Sequence, residues 1–220
     1  RGRGSTTGAY FSPPRRRRRR RVDRRRSRSP TDPARRLHLV SSRVSSRLML
    51  VRTGRDPKHD LELSGSRVHY GTAGAAVHVV DVDGRAYRES TVQDLFDAAR
   101  ITDTLDNIHF LQRPMVCRDI PDNRELDLNT VYACSAGTTK HIGTSFTEPS
   151  FAADALEMLH LIAGGEDAWR ARPFMSNSNC FVVPPMKFAT ESCLVMERCI
   201  AGGMPILLLS AGQAGATAPA

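Results

Sequence analysis

Apolar positions change their rhythm along the chain. Up to residue 53 they hold no firm period: the stretch Leu37 to Thr53 mixes apolar residues with Ser and Arg, and no element is assigned to it. Beyond it, Val68 and Tyr70, then Val77, Val79 and Val82, are β-branched or aromatic positions around the turn signal Asp83-Gly84. Residues 67–90 therefore predict two short strands, with Gly71-Thr72-Ala73-Gly74 as a loop or bulge. After residue 90, helical and extended patterns alternate. Ser90 or Thr91 caps a helix over 91–106 with Val92, Leu95, Phe96 and Ala99 on one face. Ile108 to Leu111 is a strand stopped before Pro114, and Leu128, Val131, Tyr132 and Ser135 give the next helix its face. Ile142 to Phe146 is the second strand. A helix over 150–163, with Phe151, Ala155, Leu156, Leu159 and Ile162 inward, ends at Gly164-Gly165. A third strand lies within Phe174 to Val183, a helix over 187–201 ends at Gly202-Gly203, and Pro205 opens the run Ile206 to Leu209.

Strand starts near 108, 142, 174 and 206 recur at the length of one strand–helix unit, and Ile162-Ala163-Gly164-Gly165 is echoed by Ile200-Ala201-Gly202-Gly203. Near-continuous apolar strands predict burial on both faces. The expected class is α/β, a partial TIM-type (βα)8 barrel preceded by a basic leader and a short β-hairpin. About four units fit in residues 91–220, whereas a full barrel needs about 250 residues. The expectation is of the first part of a barrel, open at both chain ends and inactive by itself.

Charge divides the chain at the same place. Residues 1–60 hold 20 of the 32 Lys and Arg but 4 of the 23 Asp and Glu, a net of +16, while the rest carries −7. Arg15 to Arg21 is an unbroken arginine run, and charge this dense predicts disorder over residues 1–54. Three readings of the leader stay open: a nuclear address, an arm that binds nucleic acid through phosphates without sequence preference over residues 15–36, or a GC-rich coding stretch without function. No aromatic residues interleave the arginines, which argues against a single-strand reader. An arginine-rich nucleic-acid-binding protein is nevertheless the rival to any enzymatic reading.

Several chemistries are excluded or disfavoured. No G-x-G-x-x-G follows a strand and no nucleophile elbow is present. Five cysteines with no C-x-x-C spacing predict reduced thiols in a cytoplasmic protein. His109, Cys117, Cys134, His141 and Cys180 are too scattered for a zinc site, so no metal is expected. No apolar run is long enough to cross a membrane.

Gly54-Arg55-Asp56-Pro57, Tyr70 to Ala76, Asp106 to Phe110, Thr138 to His141, Ile162 to Glu166 and Ala211 to Pro219 stand in continuous order. In these motifs residues 54–220 resemble the trimethylamine:corrinoid methyltransferase family. The resemblance implies a TIM-type barrel that moves a methyl group from a small methylated amine, tertiary or quaternary, to the Co(I) of a corrinoid. That cofactor is carried by a partner protein, and none is bound directly. Some members carry pyrrolysine in a part of the barrel that the resemblance places beyond residue 220. A homo-oligomer stays open.

Barrel sites lie at the C-terminal strand ends, which fixes candidates by position. His109 and Arg113 flank the end of the first strand, Lys140 and His141 precede the second, and Ser145 and Phe146 end it. Asn177 and Asn179 lie near the end of the third, and Gln213 follows the fourth. The expected substrate-binding set is His109, Phe110, Phe146, Asn177, Asn179 and Gln213, with the two Phe rings suited to an alkylammonium by cation–π attraction. Core packing of His109 and of the rings, and turn hydrogen bonds for the asparagines, are the competing readings. No catalytic residue is assigned.

Overall fold

Two of the long helices begin where a side chain satisfies the first backbone N–H groups. The computed structural model describes residues 50–51, 53–183 and 187–210; the arginine run and Gln213 lie outside them. Short antiparallel strands β1 (Leu50–Val51) and β2 (Leu61–Glu62) pair first, and β3 (His78–Asp81) and β4 (Ala86–Glu89) form a hairpin around Asp83-Gly84. Helix α1 (Val92–Thr104) opens on a full capping box: Thr91 Oγ1 accepts from Asp94 N–H, and the Asp94 carboxylate accepts from Thr91 N–H. Strand β5 (Phe110–Gln112) leads to α2 (Asn123–Gly137), capped by Asp122. Strand β6 (His141–Thr144) leads to α3 (Pro149–Ala163), which starts on a proline and stops at Gly164, φ 89°. A short helix α4 (Glu166–Ala171) precedes β7 (Met175–Val183) and β8 (Lys187–Phe188), and α5 (Thr190–Ala201) leads to β9 (Ile206–Ser210).

Strands β5, β6, β7 and β9 run parallel in that spatial order, with Leu111 opposite Ile142, Ile142 opposite Met175 and Asn177 opposite Ile206. The far end of β7 pairs antiparallel with β8. Val182 partners both Phe188 and Ser210, so β8 and β9 take opposite edges. The strands do not close into a barrel among the described residues. Core side chains Leu95, Leu111, Val131, Ile142, Leu159 and Met175 are fully buried between sheet and helices. No helix among the described residues is long and apolar enough to cross a membrane, and all five cysteines are free thiols.

Four expectations need correction. Val68 and Tyr70 belong to no strand and are 64 % and 60 % exposed. Instead, residues 70–76 run alongside β5: His109 N–H donates to Tyr70 O at 2.7 Å and Val116 N–H to Ala76 O at 2.8 Å. Tyr132 is 63 % exposed, because the buried stripe of α2 is rotated onto Asp127, Val131 and Cys134. Helix α5 starts at Thr190 rather than 187, since Lys187 and Phe188 are drawn into β8. Finally, α4 forms where the sequence pattern assigns no element. It carries Trp169, fully buried, with Nε1–H donating to Gly202 O at 2.9 Å.

Candidate functional site

Alternation along a strand sorts the side chains of this sheet into two sets. Leu111, Ile142, Met175 and Asn177 face the helices. Gln112, Gly143 and Ser176 lie in one row on the opposite face, with Ser178 one step further along β7. At the C-terminal strand ends that face opens into a cavity of about 360 Å³. Gln112 and Arg113 from β5, Ser145 and Phe146 after β6, Ser178 and Asn179 of β7 and Leu209 of β9 line it, beside Gly74 and Ala75 of the strap along β5. The size suits a small molecule.

Its polar groups are tied to one another. Arg113 donates to Ser145 Oγ at 3.2 Å, Gln112 Nε2 to Ser178 Oγ at 3.0 Å, and Asn179 Nδ2 to Ser192 O at 2.7 Å. Asn179 Oδ1 is buried without a partner, as are both amide atoms of Asn177 and the hydroxyl of its β6 neighbour Thr144. Buried polar groups are nearly always paired, so open valences gathered at one end of a sheet mark it as unusual. Behind the cavity, Asp127 on α2 accepts from both the N–H and the hydroxyl of Thr147, fixing the loop that carries Ser145 and Phe146. Burial raises the Asp127 carboxyl above its ordinary value, against the lowering effect of those bonds and of the Arg113 charge.

A larger cavity, about 650 Å³, lies at the N-terminal ends, among Lys58, His59, Arg67, His69, Asp103 and Lys140. Its principal charges are committed. Lys140 Nζ donates to the carbonyls of Thr102, Leu105 and Ile108, each at 2.7 Å. Asp103 accepts from Thr138 Oγ1 and from Thr139 N–H and Oγ1. Burial raises the Asp103 carboxyl, but these bonds and the nearby His59 outweigh it and hold the group below its ordinary value. His141 sits above, between Thr53 O and Ser176 Oγ, and burial lowers its pKa. These contacts close the base of the sheet. No cluster of metal-ligating side chains occurs among the described residues.

The expected site residues separate. His109 lies just before β5, at the opposite end from Arg113; its Nδ1 accepts from Tyr70 N–H at 3.0 Å and its ring meets His69 edge-on. Phe110 packs over Gly71, where an added Cβ would fall 2.0 Å from the ring. Phe146 and Asn179 line the C-terminal cavity. Asn177 shares the helix-facing side with Met175 and is 1 % exposed. Gln213 lies outside the described residues. Gln112, Ser178 and Asp127 were not singled out in the sequence; their placement depends on strand register and helix rotation.

A family model described as trimethylamine methyltransferase matches residues 37–220, ahead of the boundary at 54 drawn from composition. Trimethylamine methyltransferase MttB of Desulfitobacterium hafniense is 30 % identical over 168 residues, 76 % of this chain and 34 % of that protein. MttB1 of Methanosarcina mazei is 26 % identical over 172 residues, again 76 % of this chain and 34 % of the relative. MttB of Methanosarcina barkeri matches at 26 % with the same coverage. The chain thus spans about a third of the length of these curated relatives.

Proposed function

We propose, from the premise that the chain belongs to the trimethylamine methyltransferase family, that its parallel sheet is the first part of a TIM-type barrel and that the C-terminal cavity is part of a methylated-amine site. The full-length protein then moves a methyl group from the amine to a corrinoid carried by a partner protein. The observation that carries this is the cavity itself: it opens at the strand ends where barrel enzymes hold their substrates.

The cavity of about 360 Å³ has room for a small amine. When that partner docks, its Co(I) supplies the nucleophile. The residues of this chain orient the amine and shield it from water. Transfer leaves the N–C electron pair on nitrogen, so a quaternary substrate departs as a neutral amine. A tertiary amine must first gain a proton.

The assay mixes full-length protein, reduced corrinoid protein and a panel of tertiary and quaternary amines, and follows Co(I) absorption. Loss of the Co(I) band only when protein and amine are both present is the expected result. A band unchanged with every amine refutes the reading.

A further inference from the structure

Gln112, the last residue of β5, faces Gly143 of β6 directly in register. A Cβ at Gly143 would lie 2.0 Å from Gln112 Oε1, so the absent side chain is what lets the glutamine lie flat across β6. It reaches Ser178 on β7, two strands away, and Nε2 donates to Ser178 Oγ at 3.0 Å. With its nitrogen engaged, the amide keeps its oxygen as the open acceptor at the cavity floor. Asn179, on the helix-facing side of β7, gives its nitrogen to Ser192 O, and its Oδ1 is buried without a partner. Phe146 adds an aromatic wall. Arg113 is the only formally charged side chain on the described lining.

A methylated ammonium without an N–H cannot be held by ordinary hydrogen bonds. Its charge is spread over the methyl hydrogens, which are attracted to oxygen dipoles and to ring faces. Arg113 repels such a head, so the favourable position is over the Gln112 oxygen and away from the guanidinium. We propose that Gln112 is the specificity-determining residue for the cationic head: its Oε1, held across Gly143 by Ser178, distinguishes a methylated ammonium from an uncharged group of the same shape. This rests on the amine-site reading above.

The test uses the full chain and two probes of equal shape, choline and its uncharged carbon analogue 3,3-dimethylbutanol, with affinities measured by titration calorimetry. The unmodified chain binds choline more tightly than the alcohol. Gln112→Met keeps the length but removes the dipole, and weakens choline about ten-fold while leaving the alcohol unchanged. Gly143→Ala displaces the amide and gives the same pattern. Gln112→Glu turns the dipole into a charge and tightens choline, so a gain of binding decides the matter even if the other variants fold poorly. Choline binding indifferent to Gln112→Met, or equal losses for both probes in that variant, overturns the proposal and leaves the amine site standing. An unmodified chain that does not bind choline overturns both.

Discussion

The two ends of the parallel sheet are built on opposite principles. At the N-terminal end the principal charged groups are engaged, although His69 Nδ1 is buried without a partner: Lys140 caps α1 through three carbonyls, Asp103 gathers three donors, and Arg172 is paired with Asp60 at 2.6 Å. At the C-terminal end, Thr144, Asn177 and Asn179 keep buried atoms unpartnered a few residues away in the same strands. The contrast shows that polarity alone does not mark a site. What separates the ends is how much of the hydrogen-bonding capacity is spent inside the protein.

Removing Lys140 is the hardest test of this contrast. Lys140→Met strips three carbonyls of their common donor in a site where the residue is 4 % exposed. The expected loss is about 3 kcal/mol, read as a lower midpoint in chemical denaturation. An unchanged midpoint would show that the base of the sheet is not the stabilising end.

Asn177→Leu should act in the other direction. It exchanges an amide with two unsatisfied atoms, 1 % exposed, for an apolar side chain of similar volume. A gain of about 1–2 kcal/mol is expected, seen as a higher melting temperature. A clear fall in melting temperature would reveal a partner for the amide and erase the contrast.

Acid titration should show a smaller effect of opposite sign at each end. Asp103 has its folded value below 3.8, so its contribution is present above 3.8 and lost as the pH falls through the folded value. Asp127 has its folded value raised above 3.8, so its contribution is present below 3.8 and lost as the pH rises through the folded value. Stability followed against pH should therefore become less acid-sensitive in Asp103→Asn. In Asp127→Asn it should lose part of its decline above pH 3.8. Identical profiles for the two variants would show that the two carboxylates do not differ.

Sequence reading reached the elements whose signals are local. The cap at Ser90 or Thr91, the apolar face over 150–163 and the Gly164-Gly165 stop placed three helix ends within a residue or two. It failed where the signal is not local. Helix α4 has six residues, too few for a period, and its anchor Trp169 makes sense only against Gly202. His109 was expected at the mouth with Arg113, whereas the strand begins only at Phe110 and leaves His109 at the opposite end. Gln112 could not be singled out before Gly143 was known to stand beside it, because nothing within either strand shows their register. Asp127 lies outside the helix face drawn through Leu128, Val131, Tyr132 and Ser135, and is buried because that face is rotated.

Strand order in this sheet repeats the order of synthesis: β5, β6, β7 and β9 are laid down side by side, each on the edge left open by the one before. Each unit of roughly 30 residues leaves a ribosome in a few seconds at about 5–20 residues per second, far longer than a helix needs to form. Nascent chain can therefore add to the sheet from one side only, with no strand waiting for a distant partner. At any moment the exposed edge is the newest strand. In the described structure that strand is β9, where Leu207, Leu208 and Leu209 are still about half open to solvent.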